Sequence, residues 1–246
     1  MKRQFVQTSN SERFRDAYKA LQGRGAKESC FLLVTGEAGF GKTAAVRAWA
    51  TQPDINAVFM RAKVDWTPHY FESELANWLK VDQKGRGGAR EFFGRLVARL
   101  LHDQVPIVID EVEHALRDNA AVLEHVRDIT DITYTPVVLV GMDQVQPRID
   151  RHKQLSTRVA DIVTFGAASD EDVAHACKSL CEVEVAADLV AEVARQARGR
   201  MREVLNAIAL IEREAKRNKL ARVALEHIGN RPLTLHWQDR RLRAVR

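Results

Sequence analysis

The chain has 246 residues, 46% hydrophobic and 29% charged, with 13 Gly and 6 Pro. That composition excludes a collagen-like, low-complexity or wholly disordered chain. Thirty-eight Lys and Arg against 33 Asp and Glu give a formal +5, which says less than where the charge sits.

The first 29 residues read as a polar leader helix. Ser9, Asn10 or Ser11 caps it, it runs through Leu21, and Gly23 and Gly25 end it. This opening has no apolar h-region, so it is not read as a secretory signal. Five short apolar runs follow: CFLLVT at 30–35, AVFMRA at 57–62, VPIVID at 105–110, PVVLVG at 136–141 and DIVTF at 161–165. Most are continuous rather than alternating, as strands buried on both faces of a parallel sheet require. Helical patterns at 43–50, 71–79, 91–102 and 119–130 lie between them. Strand, helix, strand at this spacing is the βαβ signature, so residues 30–166 are expected to form an α/β core with helices covering a five-stranded parallel sheet.

After Phe165 the strand signal stops. Ser169 with Asp172 three residues on forms a capping-box pattern, opening a helix through Cys181. Helical periods continue at 187–198 and 201–218, with a short piece expected at 221–228. Residues 167–229 thus read as a small all-helical lid domain, and 230–246 as a basic tail. Base is concentrated in two runs: residues 84–99 hold five basic residues and one acid, and 231–246 hold five arginines and one acid. A polyanionic partner needs such clustering. No apolar run approaches the roughly 18 residues of a membrane helix. Cys30, Cys177 and Cys181 are an odd count without metal-ligand spacing, and read as buried thiols in a reducing cytoplasm.

Directly after the first strand stands Gly36-Glu37-Ala38-Gly39-Phe40-Gly41-Lys42-Thr43, a complete G-x-x-x-x-G-K-T. Its glycines let backbone amides turn toward phosphate oxygens, and the following helix adds its positive end. Lys42 then reaches the β- and γ-phosphates, and the Thr43 hydroxyl ligates Mg2+. The run at 105–110 ends in Asp110 and continues to Glu111. A buried strand ending there offers Asp110 to the metal and Glu111 to the attacking water. The pattern predicts hydrolysis of a nucleoside triphosphate, ATP rather than GTP because no N-K-x-D is present.

These features together resemble an AAA+ ATPase, and within that group the transposition ATPases of the phage Mu B-protein, TnsC and TniB type. The resemblance runs from about Phe5 through the helical domain, on FVQTSNSERF, LLVTGEAGFGKTAAVRAWA, VIDEVEHAL, VVLVGMDQV, LSTRVADIV and GRMREVLNAI. It implies that Arg158 is the finger reaching a neighbouring subunit's γ-phosphate, with Arg148 and Arg151 as competitors, and that Arg202 is the sensor-2 arginine. Relatives often carry Asn where this chain has Met142, with Asp143 or Gln144 as substitutes; slow hydrolysis follows. The resemblance also implies that Lys63, Trp66 and Thr67, and Lys84, Arg86 and Arg90, contact duplex DNA. No zinc finger and no recognition helix stands in the sequence, so the expected binding is sequence-independent and salt-sensitive. The helix-turn-helix module of the Mu protein is not seen.

The function implied is an ATP-dependent DNA-binding ATPase that assembles head-to-tail, as a ring or helical filament, on double-stranded DNA. It would deliver target DNA to a transposase in the bacterial host cytoplasm. The alternatives are an ExeA-like adaptor acting on proteins, or a nucleotide-gated scaffold with little turnover. His114 and His125 lack a third ligand at useful spacing, and Asp150, His152 and Ser156 lack a nucleophile elbow, so neither set predicts metal or triad chemistry.

Overall fold

The computed structural model describes residues 1–2, 4–83, 88–229 and 231–234. In chain order the elements are α1 (Ser9–Gln22), β1 (Phe31–Gly36), α2 (Lys42–Ala50), β2 (Val58–Arg61), α3 (Pro68–Leu79), α4 (Gly88–Asp103), β3 (Ile107–Asp110), α5 (Ala121–Thr133) and β4 (Val137–Val140). They continue with α6 (Val145–Ile149), α7 (Lys153–Ser156), β5 (Val159–Phe165), α8 (Asp170–Leu180), β6 (Glu184–Val185), α9 (Ala187–Ala197), α10 (Met201–Asn218), β7 (Arg222–Val223) and α11 (Leu225–Ile228).

Chain contacts divide the protein into two compact units. One contains Arg13–Gly36 and Lys42–Thr164; the other contains Met1–Glu12, Glu37–Gly41 and Phe165–Arg246. The division falls inside α1, after Glu12, so the leader does not stand apart from both units.

The first unit is built on a five-stranded sheet of order β2-β3-β4-β1-β5. β2 with β3, β3 with β4 and β4 with β1 run parallel, in registers that set Arg61 opposite Asp110 and Asp110 opposite Val140. β1, β3 and β4 are buried along their whole length, which explains their unbroken apolar sequence. Helices supply the covering layers. Phe71, Leu75 and Leu79 of α3, Phe92, Leu96 and Leu100 of α4, and Leu123, Val126 and Ile129 of α5 join one core with Ile107, Ile109 and Leu139. Thr67 caps α3 by accepting from the Tyr70 amide, with Pro68 in the first turn. α5 starts at Ala121 rather than 119, because Asp118, Asn119 and Ala120 are all left-handed (φ 49, 57 and 58°).

In the second unit α8, α9 and α10 enclose a separate core of Val173, Leu180, Leu189, Val193, Ile208 and Ile211. The expected capping box forms: the Asp172 amide donates to Ser169 Oγ, and the Ser169 amide donates to the Asp172 carboxylate. This unit differs from an all-helical lid in one respect. β6 and β7 pair as a two-residue parallel ladder, Glu184 with Arg222 and Val185 with Val223, and only Leu225–Ile228 of the 221–228 piece is helical. Two residues are too short for a strand pattern to show in sequence. Among the described residues no helix is long and apolar enough to cross a membrane.

Candidate functional site

In the α/β unit, β1 ends at Gly36 with φ 141°, and α2 opens at Lys42. Lys42 is buried, and its ammonium donates to the Gly36 carbonyl. One residue on, the Thr43 hydroxyl donates to Asp110 Oδ1 at 3.1 Å. Asp110 is 3% exposed, held at the end of a strand whose four residues are all buried. Glu111 follows in left-handed backbone, φ 54°, with its side chain half exposed. Non-glycine residues persist in that region only where their surroundings hold them, often at functional sites.

Sequence reasoning passed over Arg61. Its Nη2 lies 3.3 Å from Asp110 Oδ2 and its Nε 3.6 Å from Glu111 Oε1, so one guanidinium spans both acids. The signal was available: Arg61 closes AVFMR as Asp110 closes PIVID, and parallel register sets the two side by side.

Within the other unit, Glu37–Gly41 is gathered by the chain around Arg200. The Arg202 amide donates to the Gly39 carbonyl at 3.2 Å, and Arg200 Nη2 donates to Glu37 Oε2 at 3.2 Å. Gly39 and Gly41 take φ 95° and 92°, a conformation open to glycine and strained for other residues. The Arg202 side chain is exposed, whereas the neighbouring Arg200 carries the contact to the loop.

The donor set fits magnesium bound with a triphosphate. A hydroxyl and a carboxylate are hard oxygen ligands, and Mg2+ commonly takes one or two protein oxygens and completes its shell with phosphate and water. Among the described residues no group of three or more His, Cys, Asp or Glu gathers as a protein-only metal cage.

The three arginines considered for action in trans differ sharply. Arg158 grips Asp131 through two bonds, Nε to Oδ1 at 2.7 Å and Nη2 to Oδ2 at 3.0 Å, which holds its guanidinium charge more firmly than usual. Arg148 donates to the carbonyls of Glu113 and Leu116. Arg151 is exposed, with no ion pair or hydrogen bond among the described residues. Met142 donates its amide to the Glu113 carboxylate, and Gly141 before it has no room for a side chain: a Cβ would lie 2.6 Å from Val145 Cγ2.

Of the residues read as DNA contacts, Lys84 and Arg86 lie outside the described residues. Lys63 is engaged by the Glu74 carboxylate and the Tyr70 hydroxyl, which raise its pKa. Trp66 is 4% exposed, donates Nε1 to Glu74 Oε2 at 2.6 Å and packs edge-on against Phe71. Thr67 caps α3. Arg90 is exposed in the first turn of α4. Glu74, the carboxylate holding this loop together, was not singled out in the sequence.

Comparison with solved structures places the fold. Cdc6p from Pyrobaculum aerophilum aligns with TM-score 0.68 and 17% identity, over 92% of this chain and 68% of that one. The Aeropyrum pernix Orc1 protein, solved in complex with DNA, aligns at 0.58 and 22%, over 91% and 64%. The Thermotoga maritima RuvB Holliday junction branch migration motor aligns at 0.60 and 18%, over 91% and 68%. This chain therefore spans about two thirds of each. No curated protein matches the sequence. The AAA domain family matches over residues 26–149, half of the chain, from before β1 to the end of α6. With the phosphate-loop sequence and the 2-3-4-1-5 sheet already established, the chain belongs to the AAA domain family of P-loop nucleotide-binding proteins.

Proposed function

We propose that this protein is an ATP-dependent, sequence-independent double-stranded-DNA-binding ATPase of the transposition-helper type. It assembles head-to-tail on DNA as a ring or helical filament and delivers target DNA to a transposase. The observation that carries the ATPase reading is the 3.1 Å bond between Thr43, at the start of α2, and Asp110, at the end of β3. The DNA reading is supported by the clustered base at 84–99 and 231–246, and by structural relatives described as DNA-bound or as a branch migration motor.

In this reading Gly36 to Thr43 cradles the triphosphate, and Lys42 leaves the Gly36 carbonyl for the β- and γ-phosphates. Thr43 and Asp110 hold Mg2+, which when bound offsets phosphate charge and fixes its geometry. Glu111 orients the attacking water, and its release from Arg61 accompanies that role. Arg158 acts on the neighbouring subunit's nucleotide, with Arg151, whose side chain has no partner among the described residues, as the rival. Arg202 lets the 167–229 lid respond to the nucleotide bound by the 30–166 core. Lys63, Lys84, Arg86 and Arg90 meet DNA phosphates, while Trp66 and Thr67 shape the loop that presents Lys63. Such a heterologous interface accounts for a trans arginine and for open or closed assemblies alike.

A second reading, a nucleotide-gated scaffold with slow turnover, is supported by the Arg61 hold on Glu111 and by Met142 in place of Asn. Fluorescence anisotropy of a labelled random-sequence duplex tests both, with no nucleotide, ADP, ATP and a non-hydrolysable analogue across a salt series. Binding only with ATP or the analogue, weakening steeply with salt, supports the DNA-coating ATPase. Absence of binding in every state refutes it. Glu111→Gln separates the two readings: it traps stable DNA complexes in the ATPase and changes little in the scaffold.

A further inference from the structure

The exposed face of α10 has features that neither the nucleotide nor the DNA reading uses. Val204, Ala207, Ile208, Ile211 and Ala215 turn inward, so Asn206, Ala209, Arg213, Lys216 and Arg217 share the outer face at helical spacing. A groove of about 530 Å3 runs along this face, lined by Asn206, Ala209, Leu210, Arg213, Lys216 and Leu233, with Glu212 at its base. The apolar part of its floor comes from Leu233, 1% exposed, and from Leu210, which packs on the helical core, beside the buried Glu212.

The charge at the rim is positive and available. The side chains of Arg213 and Arg217, one turn apart, have no ion pair or hydrogen bond among the described residues, and Lys216 has only a loose 3.7 Å pairing with Glu182. Two nearby acids have partners of their own, through both oxygens of Glu212 and through Oε1 of Glu214. Glu212 accepts from the Glu182 amide and the Met1 amino group, and Glu214 is taken by Arg231 at 2.8 Å.

We propose that this groove docks an acidic segment of a partner protein, with one or two leucine-sized side chains entering the floor and carboxylates meeting Arg213, Lys216 and Arg217. Charge complementarity selects the occupant. The chain's own tail, residues 235–246, carries four arginines and one acid, the same sign of charge as the rim, so charge complementarity does not favour it as the occupant. A nucleic acid backbone would use the arginines but has nothing to fill the leucine-lined floor, and phosphates gain nothing from apolar surface. An amphipathic acidic helix satisfies both halves, in the helix-in-groove mode. The inference does not rest on the ATPase or DNA reading, since it uses only the helical unit's own residues.

The test uses the full chain and a fluorescein-labelled 12-residue synthetic peptide, rich in Glu with two Leu four residues apart. A control peptide replaces Glu by Lys, and the third probe is a labelled random-sequence duplex. The acidic peptide is expected to bind with Kd on the order of 10–100 µM at low salt, and the basic control not at all. Arg213→Glu with Lys216→Glu should weaken the acidic peptide by about tenfold or more, through loss of two rim attractions and gain of two repulsions. Ala209→Trp should block it by filling the floor. If the tryptophan variant fails to fold, the charge reversal at exposed positions still decides. Failure of the acidic peptide to bind at 1 mM, or equal binding to wild type and charge-reversed protein, overturns the proposal. So does a charge reversal that removes duplex binding but leaves peptide binding intact, which assigns the face to nucleic acid.

Discussion

If Arg158 acts across a subunit interface, its bond to Asp131 is a restraint and not its purpose, and the two roles differ in size. The pair is bidentate and charge-assisted, but its side chains are 25% and 33% exposed, so solvent screens it. Breaking it costs about 1 kcal/mol, a fall of about 2–4 °C in Tm for a chain of this length. A trans arginine is worth about a thousandfold or more in turnover, roughly 4 kcal/mol of transition-state stabilisation. Arg158→Ala should therefore lose about 1 kcal/mol of stability and nearly all phosphate release. Asp131→Asn should lose similar stability, since it also breaks the pair, yet keep turnover within about threefold because the guanidinium survives.

Mixing adds a further check. Arg158→Ala subunits bind ATP but lack the arginine, and Lys42→Ala subunits carry the arginine but not the nucleotide. A mixture should recover activity that neither shows alone. Phosphate release at protein concentrations spanning assembly reads all of this, alongside urea unfolding of each variant. The reasoning is refuted if Asp131→Asn falls as far as Arg158→Ala. Arg158 would then act by tying the approach to β5 onto α5, and the same series run on Arg151 would be expected to show the trans signature.

Four further outcomes follow from the geometry. Lys42→Ala should abolish the thermal shift given by Mg-ATP, which at a hundredfold excess over Kd is about 2.7 kcal/mol in the wild type. Arg61→Ala should leave nucleotide affinity close to wild type but raise basal phosphate release, because it frees Glu111; an unchanged rate would show that the 3.6 Å contact restrains nothing. Gly141→Ala should cost about 1–3 kcal/mol in urea unfolding, since its Cβ would lie 2.6 Å from Val145 Cγ2 and 2.9 Å from Val112 Cγ1. The Glu192 carboxyl is held down at about 2, first by Arg195 and then by Gln196. Its folded pKa is depressed, so its contribution is present above pH 4.5 and lost as pH falls toward 2. Arg195 is 72% exposed, so that contribution is at most about 1 kcal/mol after screening. The stability gap between wild type and Glu192→Gln should close across that window.

Where local chemistry determined local structure, the sequence could be read directly. Strands buried on both faces must be apolar throughout, so β1, β3 and β4 announced themselves. A phosphate loop must be glycine-rich because φ near 90° excludes side chains, so residues 36–43 did too. The Ser169–Asp172 cap is a three-residue affair and was visible for the same reason. What stayed hidden depends on register or on distant partners. Asp118, Asn119 and Ala120 carry no glycine to warn of their left-handed turn, and two-residue strands have no period.

The candidate site divides along the same line, and the division says which residues to test. Thr43 and Asp110 lie 67 positions apart, yet each could be read because a motif fixes it to the end of an element. Glu74 and Asp131 could not, because each matters only through the residue it faces across the fold, and Arg61 could be read only from its place at the end of a strand beside Asp110. All three hold a residue that sequence reasoning had assigned to work elsewhere: Arg61 holds Glu111, Glu74 holds Lys63 and Trp66, and Asp131 holds Arg158. An exposed charge on a long side chain samples many positions unless a partner holds it, so each of these contacts restrains the residue it holds. Neutralising the holder while keeping the held residue, as in Asp131→Asn, is therefore the substitution that separates a restraint from a function.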